Sequence, residues 1–199
     1  MPKKVPYAVA NYEKIVDGNY YFVDKTRYIR EIEKYELPIF LRPRRFGKSL
    51  WCSIMECYYD VHRADRFDTL FANTDIGHYP TPSRNSHLVL RFDFSKIEVF
   101  NSYDKLRDKF NSECRNSFLR FLNAYSDFMQ LDSGVLSTEA AEALSQILVA
   151  IQNRNTPPLH IIIDEYDNFT NQLLTAHRDS LYRNLTTGDS FLRTFYKVM

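Results

Sequence analysis

The stretch Leu37-Pro-Ile-Phe-Leu-Arg-Pro-Arg-Arg-Phe-Gly-Lys-Ser-Leu50 constrains the fold more than any other. A short apolar run (Leu37, Ile39, Phe40, Leu41) stops at a basic loop, and the loop ends in Gly47, Lys48 and Ser49. An amphipathic helical pattern starts there. Strand, loop with Gly-Lys-Ser and helix is the build of a phosphate-binding P-loop. Glycine lets the backbone approach a phosphate, and successive N–H groups at a helix start bind its oxygens. Lys48 brings a mobile positive charge to the β- and γ-phosphates, and the Ser49 hydroxyl suits Mg²⁺. Arg45, Phe46, Gly47, Lys48, Ser49 and Leu50 are the candidate phosphate contacts. The general motif has glycine where this loop has Arg42, so the loop alone also fits a basic turn before a helix.

A second stretch narrows the choice. Leu159-His-Ile-Ile-Ile-Asp-Glu-Tyr-Asp167 reads as a buried β-branched strand with carboxylates at its C-terminal end. Open parallel sheets bind ligands beyond the carboxyl ends of their strands. Asp164 is then placed to hold Mg²⁺ through water, and Glu165 to orient or deprotonate an attacking water. Alone, such an end also fits a strand that merely carries solvated acids. Both halves in this order make a nucleotide triphosphatase signature, with Lys48 and Glu165 as catalytic candidates and Ser49 and Asp164 as metal ligands.

Three segments then carry a resemblance: Tyr20-Tyr-Phe-Val-Asp-Lys-Thr26, Arg42-Pro-Arg-Arg-Phe-Gly-Lys-Ser-Leu50 and Ile162-Ile-Asp-Glu-Tyr-Asp167. Together they resemble the bacterial AAA-ATPase-like domain family, from about Val5 to the end of the chain. That family's own loop has arginine where the general P-loop has glycine, which accounts for Arg42. Leu41 departs from the small hydroxyl residue of many relatives. The resemblance implies a Walker A-like loop from Arg42 to Ser49 and a Walker B strand end at Asp164 and Glu165. It also implies ATP as the nucleotide and Mg²⁺ as the metal, and it allows contact of Tyr21 or Phe22 with adenine, although plain packing is the commoner role for each. Relatives often continue into a nuclease-like domain of the PD-(D/E)xK type, so nucleic acid enters as a partner by resemblance alone.

Composition sets outer bounds. A net charge of +1 gives no global electrostatic footprint for nucleic acid or membrane, and the basic density is local to Arg42, Arg44, Arg45 and Lys48. Cys52, Cys57 and Cys114 form neither an even disulfide set nor a Cys-x-x-Cys pair, so buried thiols in a reducing compartment are expected. The histidines show no ligand spacing. With no apolar signal core after Met1 and no run long enough to span a bilayer, a cytoplasmic location is expected, with no membrane partner.

Taken in order, residues 1–19 read as an irregular lead-in and Tyr20 to Val23 as a short extended piece. Asp24 is the expected cap of a helix to about Tyr35. Helical spacing follows the loop to about Tyr59; Trp51 and Met55 belong to its core face. Residues 61–82 are mixed. His87 to Phe94 is a strand candidate whose Asp93 faces the site or caps the next loop. A 3.6-residue period from Tyr103 to Phe128 makes one long helix, another runs from Ser137 or Thr138 to about Gln152, and two helical stretches cover roughly 172–186 and 190–198.

The expected class is α/β: a three-layer P-loop NTPase fold, AAA-like, with a mainly parallel sheet. Residues 1–36 are its lead-in and 37–199 the ATPase core, treated as one domain. No apolar β run follows Asp167, so the core reads as lacking the strand that would lie between 37–41 and 159–163, and as truncated at the C-terminus. The expected activity is Mg-dependent hydrolysis of the ATP γ-phosphate. A nucleotide-gated interaction module with little hydrolysis and the ATPase part of a DNA-processing protein are the alternatives. A homo-oligomer and a further C-terminal domain stay open.

Overall fold

After Gly47 the side chains repeat at helical spacing without glycine or proline, and one face becomes core. A computed structural model describes residues 2–41, 43, 46–98, 100, 102–152, 156–175 and 178–199, the side chain of Phe169 excepted. These fall into two compact units, Met1–Val89 and Leu90–Met199.

The first unit is helical. α1 (Tyr12–Asp17) starts at Asn11, whose side chain accepts from the Lys14 N–H at 2.9 Å. α2 (Tyr28–Ile32), α3 (Lys48–Tyr59), α4 (Phe67–Phe71) and α5 (Asp75–His78) follow, with a 3₁₀ turn over Val61–Arg66. Tyr12 ties three of them together: its N–H donates to Ser53 Oγ at 2.9 Å and its hydroxyl to the Leu70 carbonyl at 2.8 Å. Around it the rings of Tyr58, Phe67 and Phe71 pack with centroids 5.1 to 6.1 Å apart. Buried aromatic pairs of this kind contribute beyond the area they bury. Gly77 is required by close approach, because a Cβ there would lie 1.8 Å from the Phe71 carbonyl oxygen.

The second unit carries the sheet. β1 (Leu88–Asp93) enters it at Leu90 and pairs in parallel with β2 (Leu159–Asp164). Between the strands run α6 (Tyr103–Ala124) and α7 (Ala140–Gln152); α8 (Asn168–Thr175), α9 (Asp179–Thr186) and α10 (Phe191–Val198) come after β2. α6 is opened by Ser102, and its buried stripe is Leu106, Phe110, Cys114, Phe118 and Phe121. Phe195 of α10 completes this core, 5.4 Å from Phe92 and 5.1 Å from Phe110. The three cysteines are buried free thiols, as their spacing predicts.

The α/β class stands, at a coarser level than three layers. The structure corrects the expected strand at 37–41: those residues join no strand, and Leu37, Ile39 and Leu41 are 81%, 73% and 69% exposed. A strand exists by pairing its N–H and C=O groups with a neighbour, and among the described residues β1 and β2 pair with each other. The apolar run therefore has composition for a strand but pairs with none among the described residues. Elsewhere residues 61–82 resolve into short helices, α1 interrupts the lead-in, and the stretch from 172 to 186 divides into α8 and α9. No helix among the described residues is long and apolar enough to cross a membrane.

Candidate functional site

The Gly47-Lys48-Ser49 half lies in the first unit. Gly47 has φ +79° and ψ 24° and sits immediately before α3, where only glycine holds a left-handed backbone without strain. Its carbonyl accepts the Trp51 N–H at 2.9 Å, the first bond of the helix. Lacking a side chain, Gly47 supplies no cap, so no side chain from that position competes for the first-turn donors. Lys48, Ser49 and Leu50 are half-buried in that turn. Phe46 is exposed, with its N–H on the Pro43 carbonyl at 3.4 Å. Arg42, Arg44 and Arg45 lie outside the described residues.

Beside this loop, within the same unit, is a cavity of about 1030 Å³ lined by Tyr21, Phe22, Phe40, Phe46, Gly47 and Trp51 among others. Phe40 stacks on Trp51 with centroids 6.0 Å apart. The Trp51 indole N–H is buried with no hydrogen-bond acceptor among the described residues. Phe22 also packs on Tyr12 at 5.3 Å, so it takes part in the core as well as the cavity wall.

The acidic half lies in the second unit. Asp164 is the last residue of β2 and is 4% exposed. Its Oδ2 accepts from Arg91 Nη2 on β1 at 3.2 Å. Glu165 follows with φ +55°, a left-handed backbone on a residue that has a Cβ. Such outliers persist where surrounding structure holds them. Here the hold is Asn168: its N–H donates to the Glu165 carbonyl at 3.1 Å, and its Nδ2 donates to the carbonyls of Phe94 and Ser95 at 3.4 and 3.3 Å. Asp93 accepts from the Ser95 N–H at 3.0 Å, which is the capping role expected for it beside solvation and facing the site.

Arg91 and Asn168 are the residues sequence reasoning missed. Arg91 had a signal, since it is the one charge inside Leu88-Val-Leu-Arg-Phe92; Asn168 had none. Lys48 and Ser49 belong to the first unit, Asp164 and Glu165 to the second. Among the described residues no three His, Cys, Asp or Glu side chains gather as a metal site. Mg²⁺ in nucleotide sites takes only one or two protein oxygens, the rest being water and phosphate. A buried hard carboxylate such as Asp164 fits that donor set.

The class this defines is an α/β protein with a Gly-Lys-Ser turn before a helix and paired acids at a strand end. A family model described as "Predicted AAA-ATPase" matches residues 6–199, and the chain belongs to that AAA-ATPase-like family. It is also 45% identical, over 99% of its length, to an "Uncharacterized protein in vnfD 5'region" of Azotobacter chroococcum mcd 1. The chain spans 34% of that relative's length. No solved structure matches it.

Proposed function

We propose that this chain binds Mg·ATP and hydrolyses its γ-phosphate. The observation that carries the reading is the left-handed Gly47 at the head of α3, with Lys48 and Ser49 in the first turn. A helix N-terminus opened by glycine suits an anion, because its donors and the positive end of its dipole act together. Lys48 holds the β- and γ-phosphates, and the aromatic cavity takes the base. Ser49 in the first unit and Asp164 in the second are the oxygens the motifs offer to Mg²⁺, which when bound would offset charge developing on the phosphate oxygens. Glu165 accepts a proton from the water as its oxygen bonds to the γ-phosphorus. The bond to the bridging oxygen breaks, and ADP leaves with that electron pair.

Titration with Mg·ATP tests the loop. Lys48→Ala is expected to weaken binding at least about tenfold, some 1.4 kcal/mol. Glu165→Gln is expected to keep binding and lose roughly 10²-fold in turnover. Equal affinity in wild type and Lys48→Ala would sink the binding reading. Tight binding with no turnover in wild type would replace hydrolysis by a nucleotide switch.

A further inference from the structure

Asp164 and Arg91 stand on the paired strands β2 and β1, and their contact is unusual for a surface ion pair. The Asp164 side chain is 5% exposed and that of Arg91 26%. A carboxylate so deeply buried is stabilised only if a positive charge or several donors accompany it. The 3.2 Å contact with Arg91 Nη2 supplies one. A divalent cation held by Asp164, directly or through one water, would bring a second positive charge to the same carboxylate. Two cations brought that close repel strongly where water is scarce. Arg91 is also the more exposed partner, so its long side chain has a way outward that Asp164 lacks.

We propose that Arg91 is a charge placeholder: it compensates the Asp164 carboxylate while no metal is present and must leave when a divalent cation takes that oxygen. The proposal rests on Asp164 being the metal ligand. It makes metal entry an exchange of one cation for another rather than a simple addition. The affinity for free metal is accordingly low in the resting chain, and Arg91, once displaced, is a released positive charge next to the acidic strand end.

The test uses Mn²⁺ as probe, in place of Mg²⁺, on the full 199-residue chain without nucleotide. Bound Mn²⁺ is read by its electron paramagnetic resonance signal, and the rise in melting temperature with Mn²⁺ is read in parallel. Arg91→Met keeps an apolar stem and removes the charge. It is expected to bind Mn²⁺ at least about tenfold more tightly than wild type, and to gain more in melting temperature from the ion. Arg91→Lys, which keeps a cation there, is expected to stay near wild type. If circular dichroism shows Arg91→Met unfolded, Arg91→Gln is measured in its place under the same criterion. Unchanged or weaker Mn²⁺ binding in the charge-removed variant overturns the proposal. Asp164→Asn separates the two layers: it is expected to abolish the Mn²⁺ signal. Retention of wild-type affinity by Asp164→Asn would instead remove Asp164 from the metal site, and the proposal with it.

Discussion

Two residues of the candidate site hold left-handed backbones, Gly47 at φ +79° and Glu165 at φ +55°. At Gly47 no atom of the described residues beyond its two chain neighbours lies within 4 Å of an added Cβ, so the expected effect of a substitution is conformational. Gly47→Ala is expected to destabilise by about 1–2 kcal/mol, the usual cost of this backbone region for a residue with a Cβ. Glu165 is the reverse case: a Cβ is already present and the strain already stored. Glu165→Gly should therefore be more stable than Glu165→Ala by about the same 1–2 kcal/mol. Thermal melts of the three variants against wild type check both halves, at roughly 2–4 °C per kcal/mol for a chain of this size. A Gly47→Ala melt that matches wild type would show that the turn does not hold its left-handed form in solution. The glycine was legible in the sequence because a Gly-Lys-Ser turn before a helix is a local pattern, written in adjacent residues. The Arg91–Asp164 pair was not, because its partners are far apart in sequence and meet only through strand pairing.

Among the elements, the Tyr20–Thr26 lead-in has a role that its position before the loop did not suggest. Asp24 was expected to cap a helix running on to Tyr35, yet α2 covers only Tyr28–Ile32. The carboxylate of Asp24 instead accepts from the Thr26 N–H at 2.8 Å and from the Asp75 N–H at 2.7 Å. Thr26, fully buried, accepts from the Ile76 N–H at 3.1 Å through Oγ1. The two side chains thus satisfy the first N–H groups of α5, a four-residue helix with little cooperativity of its own. Arg30 adds an ion pair with Asp75 from α2. Thr26→Val keeps the shape and removes the acceptor, leaving the Ile76 N–H buried and unpaired. It is expected to destabilise by about 1–3 kcal/mol, with Thr26→Ser close to wild type. Urea melts of the two variants check this, and equal loss in both would assign the role to methyl packing instead. Sequence periodicity located α3, α6, α7 and α10 because their amphipathic faces are local patterns. It could not locate α5, whose stability comes from side chains about fifty positions away.

At the scale of the whole chain, the decisive contrast is between two short apolar runs of equal length. Leu159 to Ile163 has a neighbour, and Ile162 is 3% exposed; Leu37 to Leu41 joins no strand, and Ile39 is 73% exposed. Leu159 to Ile163 has three β-branched isoleucines, while Leu37 to Leu41 has one and includes Pro38, which has no N–H for a ladder, so propensity and pairing both favour the later run. Pairing is the part of the fold that no local reading reaches, since a three-layer sheet needs a partner on each side of its central strand. The contrast gives opposite responses to one substitution. Ile39→Lys is expected to change stability by no more than about 0.5 kcal/mol, as at an ordinary surface position. Ile162→Lys puts an unpaired ammonium into the core and is expected to cost more than about 4 kcal/mol, enough to unfold a marginally stable domain. Exposed apolar runs also attract hydrophobic dyes and self-association. Dye fluorescence of the 199-residue chain is therefore expected to fall in Ile39→Lys while its melting temperature stays put. A large loss of stability in Ile39→Lys would mean that 37–41 is core in solution, and would restore the central strand expected from the P-loop pattern.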